Sequence, residues 1–118
     1  MPHLVIETSI KLSNEQMNKL LHDANSCLLE SGLFNEEDIK SRLYSCQQSM
    51  VGLGKSDVQF MHMRLEIMQG RSAPTKQQLM ANLNRTIEGL LRNWGINQCQ
   101  VTTQLTDIPT SLYLKVVI

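Results

Sequence analysis

The stretch VQFMHMRLEI, residues 58 to 67, puts Met61, Met63, Leu65 and Ile67 on one side of an extended chain. Phe60, His62, Arg64 and Glu66 fall on the other. A turn sequence, GRSAPT, follows it. A period-3.6 stripe of Leu79, Met80, Leu83, Ile87, Leu90, Leu91 and Trp94 then predicts a helix from about Ala73 to Trp94. Ser72 or Thr75 is placed to cap it, and Thr75 with Gln78 has the spacing of a capping box. A further strand, QCQVTTQLT, comes next. The same order occurs earlier in the chain. HLVIET at residues 3 to 8 is a β-branched, aliphatic strand, and Ser13 with Gln16 forms a capping box. Met17, Leu20, Leu21, Ala24 and Leu28 recur at helical spacing until Gly32 supplies a stop. IKSRLYSCQQSMV then reads as a second strand, bent or frayed toward the glycines.

This doubled strand–helix–strand order is the main constraint on the fold. It predicts one domain over residues 1–118, of two β-α-β halves at about 2–51 and 57–106. LYLKVVI adds a short C-terminal strand at about 112–118. The class is α/β, or α+β by some schemes. A strand–helix–strand unit makes a right-handed crossover between parallel strands. Two such units joined give a four-stranded sheet with both helices on one face. The opposite face, carrying Phe60, His62, Arg64 and Glu66, is left bare, and parallel strands rarely stay wet on one side. Burial against other subunits is the expected solution.

Charge excludes several partners. Eleven basic and eleven acidic residues cancel, so no global field favours nucleic acid or an anionic membrane. The apolar LVI near the start is too short for a signal peptide, and no apolar run approaches the roughly 20 residues of a membrane span. A cytoplasmic protein is expected. Cys27, Cys46 and Cys99 form no CxxC pair, and His3, His22 and His62 lack ligand spacing. Neither a disulfide framework nor a metal site is expected.

The local motifs divide on inspection. GLGKS at 52 to 56 has Ser49 where a phosphate loop needs glycine, and a strand follows where that loop needs a helix. Asp57 occupies the third glycine of a dinucleotide fingerprint. Met61, Met63, Met68 and Met80 read as core filler, and His62 as a packed, hydrogen-bonded histidine. Arg71 is more suggestive. It sits in a strand-to-helix turn, where a guanidinium fork and free helix N–H groups together suit a carboxylate. Pro2 has two readings. Proline is tolerated as the first residue of a strand. Removal of Met1 would instead leave Pro2 as a secondary amine able to act as a base, whereas with Met1 in place its nitrogen is a tertiary amide.

MPHLVIE at the start, GLF…IKSRLY in the middle and FMHMRLEIMQGRSAPTKQQL together resemble the 5-carboxymethyl-2-hydroxymuconate Δ-isomerase family of the tautomerase superfamily. The resemblance runs from residue 1 to about residue 90. It implies a tautomerase-like fold assembled as a homotrimer, with sites near subunit boundaries. It also implies that Pro2 is the catalytic base, taking a proton from an enol hydroxyl or allylic carbon of a small carboxylate substrate and returning it at another carbon. No metal or organic cofactor is implied. Arg71 matches the family arginine of GRS, and Arg42 the second arginine of the IKSR segment. Lys40 stands where the family usually has arginine, which keeps the charge but loses the bidentate fork. Lys40, Arg42 and Arg71 are thus the substrate-binding candidates. Two other expectations compete. Relatives with hydratase- or dehalogenase-type activity use the same amine, although no acidic residue can be placed beside Pro2 from the sequence. A non-enzymatic trimer would use Pro2 only to start a strand.

Overall fold

The computed structural model describes residues 1–118. Strand β1 (His3–Thr8) leads to helix α1 (Asn14–Glu30) and, past a single 3-10 turn at Glu36–Asp38, to β2 (Lys40–Ser45). The order then repeats as β3 (Gln59–Met68), α2 (Ala73–Asn93) and β4 (Cys99–Ile108). The four strands form one sheet in the order β2-β1-β3-β4. β1 and β2 are parallel, as are β3 and β4, and the two halves join through an antiparallel pairing of β1 with β3. The two expected β-α-β units and the mixed four-stranded sheet are therefore present.

Local chemistry sets the helix ends. Ser13 accepts from the Gln16 N–H at 3.1 Å, while Gln16 Oε1 accepts from the Ser13 N–H at 3.0 Å, completing the expected capping box. Gly32, at φ 75°, takes the left-handed conformation after α1 that other residues adopt at a cost. Ser72, not Thr75, caps α2, accepting from the Thr75 N–H at 3.3 Å. Thr75 lies inside the first turn, so the Thr75–Gln78 box does not form, and Gln78 donates instead to Asn82 at 2.8 Å.

Both helices cover one face of the sheet. Leu4 and Ile6 of β1 and Met61, Met63, Leu65 and Ile67 of β3 pack against Leu20, Ala24 and Leu28 of α1. Leu79, Leu83, Ile87, Leu90 and Leu91 of α2 close the same cluster. Met61 and Met63 are core filler as expected, whereas Met68 and Met80 are only half-buried. Just 19 of 118 residues are buried, because one sheet face has no cover within the chain. The register puts Lys40, His3, Glu66 and Thr106 in one row across that face, and Arg42, Val5, Arg64 and Gln104 in the next. Tyr44, Glu7, His62 and Thr102 make the third row. Arg64 donates to Glu7, and His62 pairs with Thr102 at 2.6 Å, so His62 is the hydrogen-bonded histidine expected.

Two strand boundaries differ from expectation. β2 stops at Ser45 rather than running to residue 51, because its neighbour β1 ends at Thr8; the Cys46 N–H to Thr8 carbonyl bond at 2.8 Å is the last it can make. The C-terminal strand at 112–118 does not form. Thr110–Leu112 make a 3-10 turn and Tyr113 is extended, at φ −128° and ψ 119°, but an extended segment becomes a strand only with a ladder partner. The sheet edges are β2 and β4, and the tail pairs with neither. It crosses the sheet end instead, tied down by the side chains of Tyr113 and Lys115. No helix is long and apolar enough to cross a membrane.

Candidate active site

The start of β1, the loop after α1, the end of β3 and the turn into α2 converge at one end of the sheet. Between them lies a pocket of about 180 Å³ lined by Met1, Gly32, Leu33, Phe34, Asn35, Asp38, Met68 and Arg71. Gly70, at φ 116°, bends the chain between β3 and α2 and so delivers Arg71 to this pocket. A larger open groove, about 370 Å³, runs between Ser31 and the first turns of α2, but nothing titratable lines it.

Arg71 is held rather than solvated. Its Nη2 donates to the Leu33 carbonyl at 2.9 Å, and its guanidinium carbon stands 5.5 Å from the Phe34 ring centroid. Its Nε is buried without a hydrogen-bond partner. A half-buried guanidinium held in place at a pocket wall is suited to receive a carboxylate through its outer N–H groups.

Pro2 is fully buried directly behind Met1, and its carbonyl accepts from the Lys40 N–H at 3.1 Å, which starts the β1–β2 ladder. Burial and then the nearby Lys40 charge lower the pKa of the Met1 amino group, with Lys115 adding to the effect and Asp38 opposing it.

The four residues singled out in the sequence are only partly gathered. Arg71 and Met1 line the pocket, while Pro2 lies buried behind Met1 and is not one of its walls. Lys40 is exposed at the start of β2 and donates to the Asp38 carbonyl at 3.0 Å. Arg42 lies on the bare sheet face, where its Nη1 meets His3 Nδ1 at 3.2 Å. Arginine can only donate, so His3 Nδ1 accepts and the ring proton sits on Nε2, directed at the Tyr113 hydroxyl 3.2 Å away. Burial and then the Arg42 charge push the His3 pKa down, which favours this neutral ring.

Sequence reasoning missed Asp38, the carboxylate it could not place near Pro2. It also missed Phe34 and Met68 as pocket walls, and Lys115. Lys115 reaches from the tail to put its Nζ 2.6 Å from Asp38 Oδ1. No spacing rule could connect those positions.

The comparisons with known proteins agree with one another. The family profile described as 5-carboxymethyl-2-hydroxymuconate isomerase matches residues 2–116. The 5-carboxymethyl-2-hydroxymuconate Delta-isomerase of Escherichia coli is 32% identical over 79 residues, a match spanning 66% of this chain and 63% of that protein. It thus covers less than two thirds of the relative's own length. The crystal structure of a 5-carboxymethyl-2-hydroxymuconate isomerase from Deinococcus radiodurans R1 superimposes with a TM-score of 0.85 at 21% identity, covering 97% of this chain and 87% of that one. A fused 4-OT symmetric trimer gives a TM-score of 0.78 at 17% identity, covering 92% and 87%. At such identities these last two show the shared fold.

Proposed function

Because this chain belongs to the 5-carboxymethyl-2-hydroxymuconate isomerase family, an enzyme family with the tautomerase fold, we propose that it moves a proton within an unsaturated, carboxylate-bearing dienol, with Pro2 as general base once Met1 is removed. One observation carries the reading. Met1 forms a wall of the pocket that holds Arg71, and Pro2 lies buried immediately behind it. Release of Met1 turns the Pro2 nitrogen from an amide into a secondary amine next to the space Met1 vacates in that pocket.

The chemistry then follows from the neighbours. An amine acts as a base only when unprotonated, and desolvation with nearby positive charge favours that form. Arg71 binds a substrate carboxylate through the outer N–H groups of its guanidinium, which is already positioned by Leu33 and Phe34. Lys40 and Arg42 add positive charge on the sheet side of Pro2 and stabilise the dienolate as negative charge develops. Pro2 takes the proton from one position, the electron pair shifts along the conjugated chain, and the same amine returns the proton at the far carbon. The bare sheet face supports assembly with further copies as a homotrimer, the state carried by the fused 4-OT relative. That assembly would bring the sheet-side charges to subunit boundaries.

Asp38 favours a second reading, in which the same pocket hydrates its substrate. Its carboxylate can accept a proton from water, the role an acidic group would play beside the amine.

Ketonisation of a 2-hydroxydienoate, followed by ultraviolet absorbance on protein whose intact mass shows Met1 absent, tests both. Turnover that collapses in Pro2→Ala, with a product of the same mass as the substrate, supports the isomerase. A product heavier than the substrate by one water supports hydration. A rate no greater than buffer across several dienols overturns both, leaving Pro2 as a strand starter.

A further inference from the structure

The C-terminal tail reaches the amino-terminal site although it belongs to no strand. Past the turn at Thr110–Leu112, Tyr113 meets His3, and Lys115 closes on Asp38 at 2.6 Å across 77 positions of sequence. Asp38 is a wall of the pocket that Met1 also lines. A carboxylate there, left free, is the natural partner of a protonated amine at the chain start, and such pairing would disable a base.

We propose that Lys115 is a positioning residue of the amino-terminal site: it holds the Asp38 carboxylate in an ion pair and so keeps it from pairing with the terminal amine. The proposal rests on the reading of Pro2 as the base. Geometry supports a dedicated contact. The tail between residues 113 and 118 is otherwise solvent-exposed except at half-buried Tyr113, so Tyr113 and Lys115 are its two points of attachment. The charges facing the Met1 amino group, one residue ahead of Pro2, are Lys40 from β2, Asp38 from the turn before it and Lys115 from the tail. Glu37 and Tyr113 face Lys115, and Arg71 lines the far side of the pocket. The directions agree with the arrangement. Hydrogen bonding from Lys115 holds the Asp38 carboxyl below its ordinary value, and Asp38 holds Lys115 above its own. Asp38 is the one group in the set that raises the pKa of the Met1 amine, and a Pro2 amine exposed by loss of Met1 would start beside the same carboxylate.

The ion pair predicts a coupled titration. With Met1 removed and proline labelled with nitrogen-15, the Pro2 amine can be titrated by NMR in the absence of substrate. Lys115→Ala is expected to raise its pKa by roughly half a unit, the effect of freeing one partly solvent-screened carboxylate near the amine. Asp38→Asn is expected to lower it. In the Asp38→Asn background, Lys115→Ala should move the amine by less than half of what it does alone, because its partner is gone. The acid limb of the kcat/KM profile should follow the same order. Equal shifts in both backgrounds would mean that Lys115 acts by its own charge and overturn the ion-pair role. An unmoved amine, or a rise in KM alone, would overturn it too. Both side chains are partly exposed, at 44% and 25%, so neither variant threatens the core. Because the titration needs no turnover, a coupled amine in a protein that isomerises nothing would sink the proposed activity and leave this pairing standing.

Discussion

The Arg71 guanidinium lies 5.5 Å from the Phe34 ring and donates to the Leu33 carbonyl at 2.9 Å, which fixes its fork before any substrate arrives. Binding a carboxylate there costs little rotamer freedom.

Replacing Arg71 with lysine keeps the charge but loses the planar fork and the stacking on Phe34. A charge-assisted hydrogen bond is worth about 1.5–3 kcal/mol, so kcat/KM for a carboxylate-bearing dienol should fall about 10- to 100-fold. Steady-state kinetics on Arg71→Lys checks this. A value unchanged from wild type would remove Arg71 from substrate binding.

His3 gives stability a pH dependence. Burial and then Arg42 depress its folded pKa, so the unfolded chain binds the His3 proton more tightly. Its contribution is present above the unfolded value of about 6.5 and is lost as pH falls through the lower folded value. Melting temperature should therefore decline as pH drops below about 6.5, and His3→Gln should flatten that decline. Differential scanning fluorimetry across the range reads both. An identical slope in the variant would assign the loss to other groups.

The bare sheet face offers a charge-reversal test of assembly. Arg64 pairs with Glu7 there, and Glu66 follows it on the same face. Arg64→Glu puts like charges together on that surface, where they repel and resist burial. Sedimentation should show the assembly dissociating, with activity declining alongside it. A trimer that persists at the same concentration would move the subunit contact elsewhere.

Core and cap should separate by magnitude. Leu83 is fully buried between α2 and the sheet, so Leu83→Ala should destabilise by about 2–5 kcal/mol. Ser72→Ala removes only the α2 cap and should cost about 1 kcal/mol. Urea titration at one fixed protein concentration compares them, since assembly shifts apparent stability. Equal losses would mean that the α2 terminus carries more than a cap.

The sequence by itself determined the elements and their pairing into halves. Met61, Met63, Leu65 and Ile67 alternate because a strand has period two, and the Ser13–Gln16 box works because both partners lie within one turn. Such signals are local, so they survive without a neighbour. The same locality explains the errors. Whether Ser72 or Thr75 caps α2 depends on where Gly70 turns the chain, and both residues carry the right hydroxyl. LYLKVVI has a strand's composition but finds no ladder partner, which pairing and not propensity decides. At the site, Arg71 was legible because its turn is local. Only the tertiary structure sends Arg42 to His3 on the bare face, wraps Arg71 with Leu33 and Phe34, and joins Asp38 to Lys115. Those contacts span tens of residues, and electrostatics depends on distance in space rather than distance along the chain.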